Sequence, residues 1–378
     1  MNSPNEAVPP ERDDGAGGAS TAPKKIGDLH KAITMAQIAK EAGVSQGAIS
    51  SLLNDRDYGI RVSEKTRERV FKVCRDLGYI PNDLRAVVRM YPEFGDFSLL
   101  LSDQIPGGLA DSFCARLVAG CQAAMQEPSQ PLTLATYEDA RDYADDPALL
   151  PQPVRSGVVS KFLCHGSANS SLLQMLAKRG FPMVSLGYDA PLPGVVSIVP
   201  DYVQAARLAM EYFVSLGHRQ IAIISGPFGT SDWPILELNH GVRLACDALR
   251  IPLEPHNIIY SDAAGDLEAA LNELLTRKPE PTAIFCMTDA IAAEAVGIAA
   301  RHGITTPQKL SVIGCGDDPC ARLAHPRLTT IRLPVEELGA AGVAEIDRMV
   351  REPLPSEPRK VLLPVSLVKR DSCAVARK

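Results

Sequence analysis

The sequence predicts a small all-α helix-turn-helix domain followed by an α/β body of two doubly wound parallel-sheet lobes. Three observations lead there. A polar segment rich in Pro, Gly, Ala and Ser gives way at Ile33 to three short helical patterns. From Phe97 onward, short apolar runs alternate with stretches of 3.6-residue apolar period, the pattern of βαβ units around a parallel sheet. At 378 residues and 46% apolar composition the chain can fill more than one core, and so many strands suit two lobes better than one sheet.

Residues 1–32 show no apolar period and read as a disordered tail. Met1–Lys25 lack the apolar core of a signal peptide, and no run of about 18 apolar residues follows, so the expectation is a cytoplasmic protein with no membrane partner. Residues 33–79 form the helix-turn-helix domain. Thr34 with Gln37 is a capping-box pattern, opening a helix that buries Ile38, Ala39 and Ala42. Gly43 supplies the positive φ that ends it, and Val44 turns inward. Ser45 caps a second helix, Gln46–Leu53, with Ala48, Ile49, Leu52 and Leu53 inside. Its outer residues, Gln46, Gly47, Ser50, Ser51 and Asn54, are short and polar.

A solvated helix face usually carries long charged side chains. Small polar ones let a helix enter a groove about 12 Å wide and approach base edges, and Gln46 at the helix start can pair bidentately with adenine. The bland alternative is an α-hairpin inside a larger helical domain. Ser63 caps a third helix with Thr66, Val70, Val73 and Leu77 inward, while Lys65, Arg67, Arg69 and Lys72 either neutralise phosphates or are ordinary solvated surface. Gly78–Asn82 stops that helix, and Pro81 starts a short one, Asp83–Arg89, too short and valine-rich to be stable alone. Residues 80–95 thus read as a hinge helix and linker, or as a plain linker.

The net charge of −6 conceals an asymmetry: Lys24–Met90 holds 13 Lys or Arg against 8 Asp or Glu, a local +5 that leaves −11 elsewhere. Nucleic-acid affinity needs a local basic surface and not a basic total. Nine cysteines, without paired C-x-x-C spacing, suit reduced, buried positions better than a zinc site or disulfide framework; Cys315 with Cys320 is the one pair that could be read as redox-active.

In the body, strands are predicted over Phe97–Leu101, Leu132–Ala135, Gly157–Phe162, Met183–Leu186, Ile221–Ile224, Ile258–Tyr260, Ala283–Met287 and Leu310–Ile313, with helices over Ala205–Leu216, Leu267–Leu275, Ala290–Ala300 and Val335–Val350. No GxGxxG, P-loop, GxSxG or metal-ligand cluster appears, and His218, His240 and His325 are isolated. The expectation is no enzyme, no cofactor and no metal. A solute-binding protein would share the body, but not the helix-turn-helix.

The runs ITMAQIAKEAGVSQGAISSLLN (Ile33–Asn54), VSEKTRERV, GYIPN, SLGHRQIAIISG, IFCMTDAIAAEAV, LSVIGCGDD, HPRLTTI and LVKRDS resemble, in order and spacing, the LacI/GalR family of bacterial repressors. The resemblance implies a periplasmic-binding-protein-like body over residues 96–372 that binds a small-molecule effector, a carbohydrate or derivative, between its lobes and forms a homodimer. It places lobe crossings near Gly194, Arg322 and Pro355, giving lobes of about 96–194 with 323–354 and 195–322 with 355–372, and leaves 373–378 as a tail. A dimer would bind a near-palindromic double-stranded operator, as repressor by family default or as activator.

Carried over by position, DNA contacts fall on Thr34, Met35, Ser45, Gln46, Gly47, Ser50, Ser51, Asn54, Arg61, Ser63, Thr66, Asn82, Arg85 and Val88. Val88 stands where the family has a Leu wedge, Arg85-Ala86 reverses the usual order, and Asp57–Ile60 lengthens the preceding loop. Effector contacts fall on Leu238, Thr288, Asp289 and Asp317. Leu238 and Gly316 replace the family's Arg and Asp, groups that would orient a hydroxyl or an anion, which argues against a standard sugar or purine. Asp289 is as easily a helix cap as a ligand contact.

Overall fold

In the amino-terminal unit, short-range hydrogen bonds fix where each helix starts and stops. The computed structural model describes residues 34–54, 62–77, 79, 95–105, 107–125, 131–143, 147–157, 159–167, 170–225, 232–260 and 267–377. Contacts divide the chain into a unit ending at Pro81 and a body beginning at Asn82. The expected tail (1–32), the loop insertion (57–60) and the hinge helix (83–89), with Arg61, Asn82, Arg85 and Val88, lie outside the described residues.

The Thr34 N–H donates to Gln37 Oε1 (2.9 Å) while the Gln37 N–H donates to Thr34 Oγ1 (3.3 Å), a complete capping box for helix Met35–Ala42. Gly43 at φ 62° ends it, and the Val44 N–H returns to Ala39 O at 3.0 Å. Ser45 Oγ accepts the Ala48 N–H (3.1 Å) at the start of Gln46–Asn54, and Ser63 Oγ accepts the Thr66 N–H (3.3 Å) at the start of Glu64–Leu77. The core comprises Ile38, Ala39, Ala42, Ala48, Ile49, Leu52, Leu53, Val70 and Cys74. Leu77, expected inside, is 37% exposed; Cys74, one turn beyond Val70, holds the inner position instead.

Among the described residues the body forms twelve strands in two six-stranded sheets. They are β1 (Asp96–Ser102), β2 (Leu132–Tyr137), β3 (Val159–His165), β4 (Met183–Leu186), β5 (Val195–Pro200), β6 (Ile221–Ser225), β7 (Ile258–Tyr260), β8 (Ala283–Cys286), β9 (Ser311–Gly316), β10 (Thr329–Arg332), β11 (Arg359–Leu363) and β12 (Ser366–Val368). The first sheet has the order β11-β5-β4-β3-β1-β2 and is parallel throughout. The second has the order β12-β10-β9-β8-β6-β7, with only the edge strand β12 antiparallel. Strands β3, β4, β5 and β8 are buried along their whole length, as sheets covered by helices on both faces require.

Sheet membership corrects all three expected crossings. Residues 195–200 pair with β4 in the first lobe, residues 329–332 pair with β9 in the second, and residues 359–363 pair with β5 in the first. The chain therefore changes lobes after Pro200, Arg332 and Leu363, because it can leave a sheet only where a strand's ladder ends. A second correction concerns residues 373–377, expected as a tail. The Ala374 N–H donates to Ser311 Oγ (3.1 Å), Ala374 O lies 3.0 Å from His218 Nε2, and the Ala376 N–H donates to Leu216 O (2.8 Å), so this segment is strapped to the second lobe.

Two glycines set a close helix contact that matters below. A Cβ at Gly120 would lie 2.1 Å from Glu336 O, and one at Gly339 would lie 2.5 Å from Leu117 O. Helices Ser112–Ala124 and Val335–Arg351 thus touch backbone to backbone, which brings Glu336 beside Arg116. None of the nine cysteines is joined in a disulfide. No helix among the described residues is long and apolar enough to cross a membrane.

Candidate functional site

Helix Gln46–Asn54 anchors one face in the core and leaves Gln46 and Gly47 exposed and Ser50 and Ser51 partly exposed. No side chain of this face carries charge. Lys65, Arg67, Arg69 and Lys72 are exposed on helix Glu64–Leu77, supplying positive charge within the same unit. Four residues expected at DNA already have structural duties: Thr34, Ser45 and Ser63 cap helices, and the Ser63 and Thr66 hydroxyls lie 2.9 Å apart within hydrogen-bond reach. A hydroxyl can serve a cap and still meet a phosphate, since it has one donor and two acceptor positions.

In the body, the carboxyl ends of the strands of both sheets meet at the lobe junction, the place where doubly wound sheets present ligand-binding loops. From the first lobe come Phe113, in the helix capped by Asp111, His165 at the end of β3, and Tyr188 just after β4. Phe113 and His165 stack with centroids 4.9 Å apart, and Tyr188 meets His165 edge-on at 5.4 Å. The Tyr188 hydroxyl donates across the junction to Asp232 Oδ1 at 2.9 Å. Trp233 beside it packs edge-on against Tyr202 at 5.9 Å, and Lys360 Nζ lies 5.2 Å from the Trp233 ring centre while pairing with Asp189.

A second link crosses at Arg116. Its guanidinium donates to Glu336 Oε1 and Oε2 (2.9 Å each), to Gly316 O (2.9 Å), to Asp318 Oδ1 (3.2 Å) and to Leu333 O (3.2 Å). All five donors of the fork are engaged. Arg116 holds the Glu336 carboxyl below its usual range. Burial pushes Asp111 and Asp232 up, opposed at Asp111 by the helix N–H groups it caps and at Asp232 by the Tyr188 hydroxyl.

The four expected effector residues occupy other roles here. Leu238 is 2% exposed within the core and offers no polar group. Thr288 caps helix Asp289–Arg301 by accepting the Ile291 N–H at 3.2 Å. Asp289 is fully buried, accepts from Thr330 Oγ1 (2.5 Å) and from the Asp318 N–H (2.8 Å), and burial pushes its carboxyl up to about 6. Asp317, at φ 55°, pairs with Arg370 and lies 3.9 Å from Arg322. Gly316 adopts φ +135°, and a Cβ there would lie 3.0 Å from Asp318 Oδ2. Asp318 therefore fills the space beside the position where the family's carboxylate was expected, and Arg116 neutralises it.

His165, Tyr188, Phe113, Asp232 and Arg116 escaped the sequence reading. The first two had a signal, since each directly follows a buried apolar run and so sits at a strand's carboxyl end. Arg116 had none, because its partners lie 200 to 220 residues away.

Residues 34–82 match the model of bacterial regulatory proteins of the lacI family, and residues 210–373 match a periplasmic binding protein-like domain. The chain is 30% identical over 345 residues to the HTH-type transcriptional regulator DegA of Bacillus subtilis (strain 168), covering 90% of this chain and 97% of DegA. It is also 30% identical over 344 residues to the HTH-type transcriptional regulator CelR of Thermobifida fusca, covering 90% and 98%. The solved transcriptional regulator CelR–cellobiose complex superposes with a TM-score of 0.64 at 27% identity, over 90% of this chain and 99% of that one.

Proposed function

The chain belongs to the lacI family of bacterial regulatory proteins, and from that premise we propose that it is a cytoplasmic, dimeric, sequence-specific repressor of a near-palindromic operator, released or engaged by a small molecule bound between its lobes. The single observation that carries the DNA half is the exposed, uncharged face of helix Gln46–Asn54 on a fixed helical core. Gln46, Gly47, Ser50, Ser51 and Asn54 read bases, while Thr34, Met35, Ser45, Arg61, Ser63, Thr66, Asn82 and Arg85 hold the backbone and Val88 wedges the minor groove.

For the effector half, the aromatic and polar groups at the lobe junction support a cleft site, and a carbohydrate ligand fits the relative solved with cellobiose. The body acts by binding and not by turnover. Leu238, Thr288, Asp289 and Asp317 shape the second-lobe wall, with Asp289 and Asp317 acting through the loops they pin. Selection of bound duplexes from a random pool, at stated salt because phosphate contacts dominate affinity, tests the reading: a near-palindrome should emerge, and no enrichment would refute it.

A further inference from the structure

The chemistry of His165 narrows what the cleft can accept, given the effector reading above. This residue is 94% buried, since its relative exposure is 6%. Its Nδ1 lies 2.7 Å from the carbonyl oxygen of Leu186. A carbonyl only accepts, so Nδ1 must carry the proton. Burial lowers the ring's pKa to about 4, leaving it neutral near pH 7. The remaining nitrogen, Nε2, is then a bare lone pair with no hydrogen-bond partner among the described residues. The ring cannot swing away: Phe113 stacks on it, Tyr188 meets it edge-on, and a Cβ at Gly187 would already lie 3.3 Å from its Nδ1 and Cε1.

We propose that His165 Nε2 is a specificity-determining acceptor that selects a neutral, hydroxyl-rich effector and rejects anionic ones. Nε2 is not among the buried side-chain atoms left without a partner, so water reaches it; a ligand that displaces that water without donating a hydrogen bond strands the lone pair, and a ligand hydroxyl does not. An anion would place a second lone pair against the first, with the half-buried carboxylate of Asp232 close by, held to Tyr188. Among the described residues at the junction, the nearby cations are engaged: Arg116 with Asp318 and Glu336, Lys360 with Asp189. Neither of these two is left over to receive a carboxylate or phosphate. A buried site built to bond a hydroxyl discriminates strongly against ligands that cannot supply one.

The test uses full-length protein, calorimetric titration, and two matched pairs of probes: glucose with glucuronate, and ribose with ribose 5-phosphate, supplemented by cellobiose. At least one neutral probe should bind, and its anionic partner, which keeps hydroxyls but brings a charge that neither Arg116 nor Lys360 is free to receive, should bind about tenfold or more weakly. H165F, which lacks the acceptor, should lose about tenfold in affinity for the neutral probe, whereas H165Q, whose amide oxygen can accept, should lose less; melting curves check that both variants fold. Nitrogen-15 spectra of histidine-labelled protein should show Nε2 unprotonated when free and shifted on binding. Preference for an anion, binding by neither class, unchanged affinity in H165F, or a protonated Nε2 would each overturn the proposal. Operator selection decides the regulator reading independently, so the two failures are distinguishable.

Discussion

Replacing Arg116 by Met keeps most of its length and removes five hydrogen bonds, two of which, to Gly316 O and Asp318, cross from the first lobe to the second. Hydrogen bonds to a charged group contribute about 1.5–3 kcal/mol when well buried. Here Arg116 and Asp318 side chains are 16% and 22% exposed, but that of Glu336 is 46% exposed, so water replaces much of what Glu336 loses. A total loss of about 3 kcal/mol follows, with about 2 kcal/mol in the cross-lobe part. If the clasp favours the closed lobe arrangement, that part shifts closed against open about thirtyfold. Urea melts of R116M, D318N and the double variant give the coupling energy directly; contacting partners should show about 1–2 kcal/mol. Small-angle scattering should report a larger radius for R116M. Additive single losses together with an unchanged radius would refute the clasp.

Gly314→Ala should destabilise the body by about 3 kcal/mol or more, because its Cβ would lie 2.1 Å from Asp289 Oδ1 in a site with no slack; chemical denaturation measures it. Gln46→Ala should weaken operator binding by about 1–3 kcal/mol and relax preference at one base pair, read by competition binding across variant operators. Thr34→Ala should cost about 1 kcal/mol by breaking the capping box, visible as earlier melting of the amino-terminal unit. For pH, His165 has a folded pKa of about 4 against about 6.5 unfolded. The unfolded chain binds the proton first, so stability falls as pH drops from 6.5 toward 4, by up to about 3 kcal/mol. Asp289, raised to about 6, acts oppositely, adding stability as pH falls through 6 toward 4. Comparing wild type with H165Q cancels the Asp289 contribution, and wild type should lose stability relative to H165Q as pH falls from 6.5 toward 4; a constant difference would contradict the burial argument.

The amino-terminal unit was readable because each of its decisions is local. Thr34 with Gln37, Gly43, Ser45 and Ser63 settle helix ends within four residues, and the structure keeps every one of those bonds. The body was readable only in part. Its eight predicted strands all form, with Gly157–Phe162 shifted to Val159–His165, while β5, β10, β11 and β12 passed unseen. β11 and β12 are edge strands with mixed exposure, and so lack both an apolar run and clean alternation. β10 is four residues long and ends on the exposed Arg332. Lobe membership depends on pairings between distant segments, such as Arg359 with Val196, and no window of sequence carries that. The same holds for the cleft: the family positions pointed to Asp289 and Asp317, but which carboxylate is free depends on Thr330 and Arg370, contributed from elsewhere.

The three passages between lobes, after Pro200, Arg332 and Leu363, all leave one sheet at a strand's end and enter the other without interrupting either. Mechanically this is a door hung on three straps and not a ball on one stalk. A single cut in one strap would leave the lobes still tethered twice. Two further ties run beside these straps: Arg116 bonds Leu333 O next to the second of them, and Tyr188 bonds Asp232.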